Sequence, residues 1–141
     1  MRHPRTVVLD SEAIQALTDP AHRKHRRVLA VVEVAASRNL RRAGAVRLVV
    51  PTSVRVEAGW NRREPDAAAA NRLRVDDFAL DTPAADDAAA IRSALGVSVV
   101  DAHLGAVLGA TPGPHAVLTS DPEDLRRIAS HLGTRSTILT V

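Results

Sequence analysis

Ala116-Val117-Leu118-Thr119-Ser120-Asp121-Pro122-Glu123-Asp124-Leu125 is an apolar run that ends in two hydroxyls and then a proline set among carboxylates. The run predicts a short buried strand over 116–119. Asp121-Pro122 predicts a turn into a helix over 122–132. Proline's fixed φ suits the start of a helix, and its missing N–H is not needed there. Strand followed directly by helix is the repeating unit of a parallel sheet.

Working outward, the same grammar recurs. Residues 5–10 read as a strand ending on Asp10, followed by a helix over 11–18 with Ser11 as its cap. Asp19-Pro20 is expected to open a helix that is basic through His22–Arg27 and apolar through Val28–Val32, with a basic turn over 39–44. A second strand over 46–50 stops at Pro51, and Thr52 or Ser53 caps a helix carrying Glu57. An alanine-rich helix from Asp66 to near Arg74 precedes a third strand over 78–80. Thr82-Pro83 starts a helix ending at Leu95-Gly96, and Ser98 starts another that ends at Thr111–Pro114. The fifth strand is 137–140. Short apolar strands alternating with helices predict a single α/β domain over 1–141, its mostly parallel sheet covered by helices on both faces.

The acids fall at informative places in that pattern. Asp10, Glu57, Asp101 and Asp121 are each read as a lone carboxylate in an apolar stretch, where an unpaired charge is costly. Sites in parallel sheets form beyond the carboxyl ends of strands, which puts Asp10 and Asp121 on one rim. Each acid also has a bland reading. Asp121 and Asp10 suit N-caps, Ser98-x-x-Asp101 resembles a capping box, and Glu57 suits a pair with an arginine. Taken together, the acids suggest a shared cation.

Composition narrows the chemistry. The 141 residues hold no cysteine, which excludes disulfides, thiolate catalysis and a Cys-ligated zinc. Aromatics are 1%, so aliphatic side chains must build the core. The net charge of +3 is unevenly spread: residues 1–74 carry +8 (15 Lys/Arg against 7 Asp/Glu), residues 75–141 carry −5 (4 against 9). A basic half beside an acidic half fits a protein that grips a polyanion and places metal ions on it; a solvated arginine-rich surface gives the same counts. No signal-peptide core or membrane span follows the basic N-terminus, so a cytoplasmic protein is expected.

Val8-Leu9-Asp10, Val56-Glu57-Ala58, Val100-Asp101-Ala102-His103-Leu104-Gly105-Ala106 and Leu118-Thr119-Ser120-Asp121-Pro122 occur in this order across nearly the whole chain. The series resembles the PIN-domain nucleases, metal-dependent ribonucleases that include the VapC toxins of toxin–antitoxin pairs. Gly105 stands where that family often has alanine, and the segment 19–45 carries over poorly. The resemblance implies a three-layer PIN-like fold with strand order 3-2-1-4-5 and a site in the gap between strands one and four. It also implies Mg²⁺ or Mn²⁺ as cofactor, RNA as substrate, a cognate antitoxin and a homodimer. Asp10 and Asp101 are expected to touch metal. Asp121 and Glu57 would bind a second metal or orient water, Thr119 would hydrogen-bond a carboxylate or the water, and Asp124 is a reserve acid. Arg23, Arg26, Arg27, Arg62 and Arg63 are candidate phosphate contacts; His22 and His25 suit a surface, and His103 the flank of its helix. A PIN-type RNA-processing nuclease without an antitoxin, or a non-catalytic RNA-binding module of this fold, are the alternatives.

Overall fold

The computed structural model describes residues 3–141. The strands are β1 (Thr6–Leu9), β2 (Arg47–Pro51), β3 (Asp76–Phe78), β4 (His115–Thr119) and β5 (Ser136–Thr140). They form one all-parallel sheet in the order β3-β2-β1-β4-β5. The helices are α1 (Ser11–Thr18), α2 (His25–Arg41), α3 (Thr52–Ala58), α4 (Ala68–Asn71), α5 (Thr82–Leu95), α6 (Val99–Ala110) and α7 (Pro122–Leu132).

Alternating side chains divide the core into two layers, as the period-two geometry of a strand requires. Val7, Leu9, Leu48, Val50, Ala116 and Leu118 face one side and pack on α1, α2 and α3 through Ile14, Leu17, Val28, Val32 and Val54. Val8, Val49 and Val117 face the other and pack on α5, α6 and α7 through Ile91, Leu104, Leu108, Leu125 and Ile128. The expected α/β, three-layer, PIN-like architecture with helices on both faces is therefore present. Among the described residues, no single helix is long and apolar enough to cross a membrane.

Several local expectations change. The helix expected at Asp19-Pro20 starts at His25, because residues 19–24 spend their groups on turns: Asp19 Oδ1 accepts from Ala21 N at 2.9 Å, and His22 Nδ1 accepts from Lys24 N at 3.1 Å. That helix runs on through Asn39, whose side-chain oxygen accepts from Val46 N at 2.8 Å, so much of the expected basic turn is helical. The alanine-rich segment is one 3₁₀ turn (Pro65–Ala67) followed by the short α4, and the chain leaves it with Arg74 at φ 56°. Its edge strand is Asp76–Phe78 rather than 78–80. Asp81, not Thr82, caps α5, accepting from Ala84 N at 3.0 Å. Neither Thr52 nor Ser53 caps α3; Pro51 holds that position.

Gly105 is where α6 comes closest to its neighbours. A Cβ there would lie 2.8 Å from Ile128 Cγ2 and 2.9 Å from Ile91 Cδ1. Alanine would gain about 1 kcal/mol in helix propensity over glycine. Crowding two buried isoleucines costs roughly 1–3 kcal/mol. Gly105→Ala is thus expected to destabilise the fold by about 1 kcal/mol in urea denaturation; a more stable variant would show that the isoleucines yield freely.

Candidate functional site

The site is built at the carboxyl ends of β1 and β4. These central strands are paired along their length, and Asp10 N, one residue beyond β1, donates to Leu118 O at 3.1 Å. Thr119, the last residue of β4, is fully buried. Its hydroxyl donates to Asp10 Oδ2 and accepts from the Asp121 backbone N–H at 3.0 Å. One side chain thus locks both strand ends and fixes the direction of the Asp10 carboxylate.

The other acids arrive from separate elements. Asp10, Glu12, Glu57, Asp101 and Asp121 line one cavity of about 350 Å³, together with Ser11, Gln15, Ser98 and Ser120. Glu57 reaches it from α3 and accepts a hydrogen bond from the Ser11 hydroxyl. Asp101 reaches it from the first turn of α6. Carboxylate oxygens of Asp101, Asp121 and Asp124 lie within 4.8 Å of one another, so Asp124 joins the cluster while its Oδ1 also meets Arg127 Nη1 at 3.2 Å. A larger cavity of about 630 Å³ beside α5 and α6 is mostly apolar, with Arg92 its only charged lining residue, and it offers no comparable chemistry.

The bland readings of the acids fare unevenly. Asp10 and Asp121 occupy the N-cap positions of α1 and α7 but make no side-chain cap hydrogen bond. Ser98 does cap α6, accepting from Asp101 N at 3.1 Å, and this bond uses the Asp101 backbone rather than its carboxylate. The lone-carboxylate reading needs correcting for Glu57 and Asp121, which are exposed; Asp10 and Asp101 are the half-buried pair.

Electrostatics follow that difference. Burial raises the Asp10 pKa above the ordinary carboxylate value, against the opposing hydrogen bond from Thr119. Burial, then the charge of Asp10 and then that of Asp124, raise Asp101 to about 6. Glu12 moves the other way: its hydrogen bond to Lys24 Nζ, 3.0 Å long, holds it below the usual range. This pair brings the basic segment 22–27 to the cavity rim.

Of the candidate phosphate contacts, Arg23, Arg26, Arg27 and Arg63 are exposed and make no ion pair among the described residues. Arg62 is different. It lies 4.1 Å over the Trp60 ring, donates to Val75 O at 2.6 Å and pairs with Asp77 Oδ1 at 2.9 Å, so it braces the chain around β3. His22 and His25 are half-buried, and His25 Nδ1 meets Ala16 O at 2.8 Å. His103 is fully buried rather than flanking, with Nδ1 2.7 Å from Ser53 Oγ. The roles of Ser11, Glu12 and Ser53 were not visible in the sequence. Two of them sit where hydroxyl residues ordinarily cap helices, and only the three-dimensional partner distinguishes the uses.

No family model matches the chain, and no curated protein matches it. Hard carboxylate oxygens gathered from the turn after β1, from α3, from α6 and from the turn before α7 suit Mg²⁺ or Mn²⁺.

Asp101 supplies a stability test of that idea. Its pKa moves from an ordinary 3.8 to about 6 on folding. The folded state holds this proton more tightly than the unfolded chain does. Its stabilising contribution is complete below about pH 4 and is lost as the pH rises through about 6. In the metal-free protein at pH 7, Asp101→Asn is expected to gain about 0.5–2 kcal/mol, allowing for partial exposure. The gain should vanish near pH 4. Urea melts in EDTA at both pH values check this, and an equal loss of stability at both would reduce Asp101 to a helix-start residue.

Proposed function

We propose that the chain is a metal-dependent endoribonuclease of the PIN type, acting as the toxin of a toxin–antitoxin pair. The observation that carries this reading is the convergence of Asp10, Glu57, Asp101 and Asp121 on one cavity beyond the ends of β1 and β4. An enzyme that cuts phosphodiesters needs cations there, because its acids and its substrate repel each other.

Asp10 and Asp101 would hold the first Mg²⁺ or Mn²⁺, and Asp121 and Glu57 would hold a second ion or orient a water. When bound, the metal supplies Lewis acidity toward the phosphoryl oxygen and lowers the pKa of a coordinated water. Thr119 keeps the Asp10 carboxylate aimed at the cavity, and the Ser11 hydroxyl does the same for Glu57. Arg23, Arg26, Arg27 and Arg63 hold the RNA backbone beside the site, since exposed guanidiniums chelate phosphate through a planar fork. The protein works in the cytoplasm as a homodimer and is silenced by its antitoxin. The second reading, a PIN-type nuclease in RNA maturation, uses the same site without an antitoxin. A non-catalytic RNA-binding module would have no use for four acids in one cavity.

RNA cleavage is expected to require Mg²⁺ or Mn²⁺, to disappear with Asp10→Asn, and to fall steeply with added salt as phosphate contacts release counterions. A gel assay of labelled RNA decides it. Undiminished cleavage in excess EDTA would sink the metal mechanism.

The antitoxin is expected to place a basic side chain, an arginine above all, among these acids, because a guanidinium binds carboxylates bidentately. A complex in which Asp10, Glu57, Asp101 and Asp121 stay untouched would contradict this.

A further inference from the structure

Ser53 and His103 lie outside the acidic cavity, and the mechanism gives neither a role. Ser53 is in the first turn of α3, one helical turn before Glu57, so the two share a face of that helix. His103 follows Asp101 on α6 by two residues, a rotation of roughly 200° about the helix axis, so its ring leaves α6 on the far side from the carboxylate. The ring is fully buried. Nδ1 lies 2.7 Å from Ser53 Oγ, Nε2 makes no well-formed hydrogen bond although the Phe78 and Ala79 backbone faces the ring, and the Phe78 ring lies 6.2 Å away, centroid to centroid.

A buried imidazole with one unpaired nitrogen is a costly choice for a core position, where leucine would carry no desolvation penalty. Its bond to Ser53 is also the only side-chain hydrogen bond between α3 and α6 among the described residues. Those two helices carry Glu57 and Asp101 to the cavity. We propose that Ser53 and His103 form a positioning pair that holds α3 against α6, and so sets where Glu57 stands relative to Asp101 in the cavity that takes the divalent cation. The inference rests on the metal-site reading. Metal–oxygen distances tolerate only about 0.2 Å, so a slight roll of α3 removes a ligand without unfolding anything. Groups that orient metal ligands are worth roughly 10–100-fold in metal affinity.

Mn²⁺ alone is the probe, titrated into the full chain by calorimetry, with the melting temperature in EDTA measured for every variant. His103→Leu is expected to melt at or above the wild-type temperature, and Ser53→Ala, which leaves Nδ1 of the buried ring unpaired, somewhat below it; both should bind Mn²⁺ roughly tenfold more weakly. Ser53→Thr keeps the hydroxyl and should retain wild-type affinity. Wild-type Mn²⁺ affinity in a folded His103→Leu and Ser53→Ala overturns the proposal. So does a loss of affinity that only tracks a lowered melting temperature, the mark of a purely structural bond. If His103→Leu does not fold, Ser53→Ala decides alone. Failure of the wild type to bind Mn²⁺, or binding unchanged by Asp10→Asn, removes the metal-site reading itself and the pair's role with it.

Discussion

Carboxylates brought within a few ångströms of one another repel, and the rest of this fold is arranged around carrying that repulsion. Two unit charges at the 4.8 Å limit of the Asp101, Asp121 and Asp124 cluster repel by roughly 1–3.5 kcal/mol, between the limits of bulk water and a typical protein surface. A small domain is stable by only about 5–15 kcal/mol in all, so several such contacts weigh on the fold unless a counterion is present. Burial, with neighbouring carboxylates adding to it, makes Asp101 and Asp10 keep protons more readily than usual. The chain answers with fixed donors: Thr119 on Asp10, Ser11 on Glu57 and Lys24 on Glu12.

The sheet makes the gathering mechanically simple. Parallel order 3-2-1-4-5 places β1 beside β4, so the turns that follow them open side by side. Both flanking layers of helices are packed with small aliphatic side chains, and glycine at 105 lets α6 settle against Ile91 and Ile128. The first turn of α6, which bears Asp101, shares the cavity beyond the strand ends with Asp10 and Asp121. Position on the sheet, more than any single interaction, is what turns scattered acids into one cavity.

Central strands were legible because they are buried on both faces and read as uninterrupted apolar runs, as at Val7–Leu9 and Ala116–Leu118. The edge strand was misplaced because Asp76 and Asp77 are exposed and carry no hydrophobic signal. The start of α2 was misplaced because the Asp19-Pro20 signal that opens helices also opens turns. Asp10 and Asp121 could be put on one rim from topology alone, but their lack of a cap bond could not. Arg62 looked like every other arginine until its stacking on Trp60 and its pairing with Asp77 were seen. Burial of His103 was in fact signalled, since its helix is apolar on nearly every side.

The central claim is that these acids bind a divalent cation. Anomalous diffraction from crystals grown with Mn²⁺ tests it most directly. The account predicts an anomalous peak in the cavity, coordinated by carboxylate oxygens of Asp10 and Asp101 and lost in crystals of Asp10→Asn. No peak at saturating Mn²⁺, or peaks only at surface acids away from the ends of β1 and β4, would contradict it.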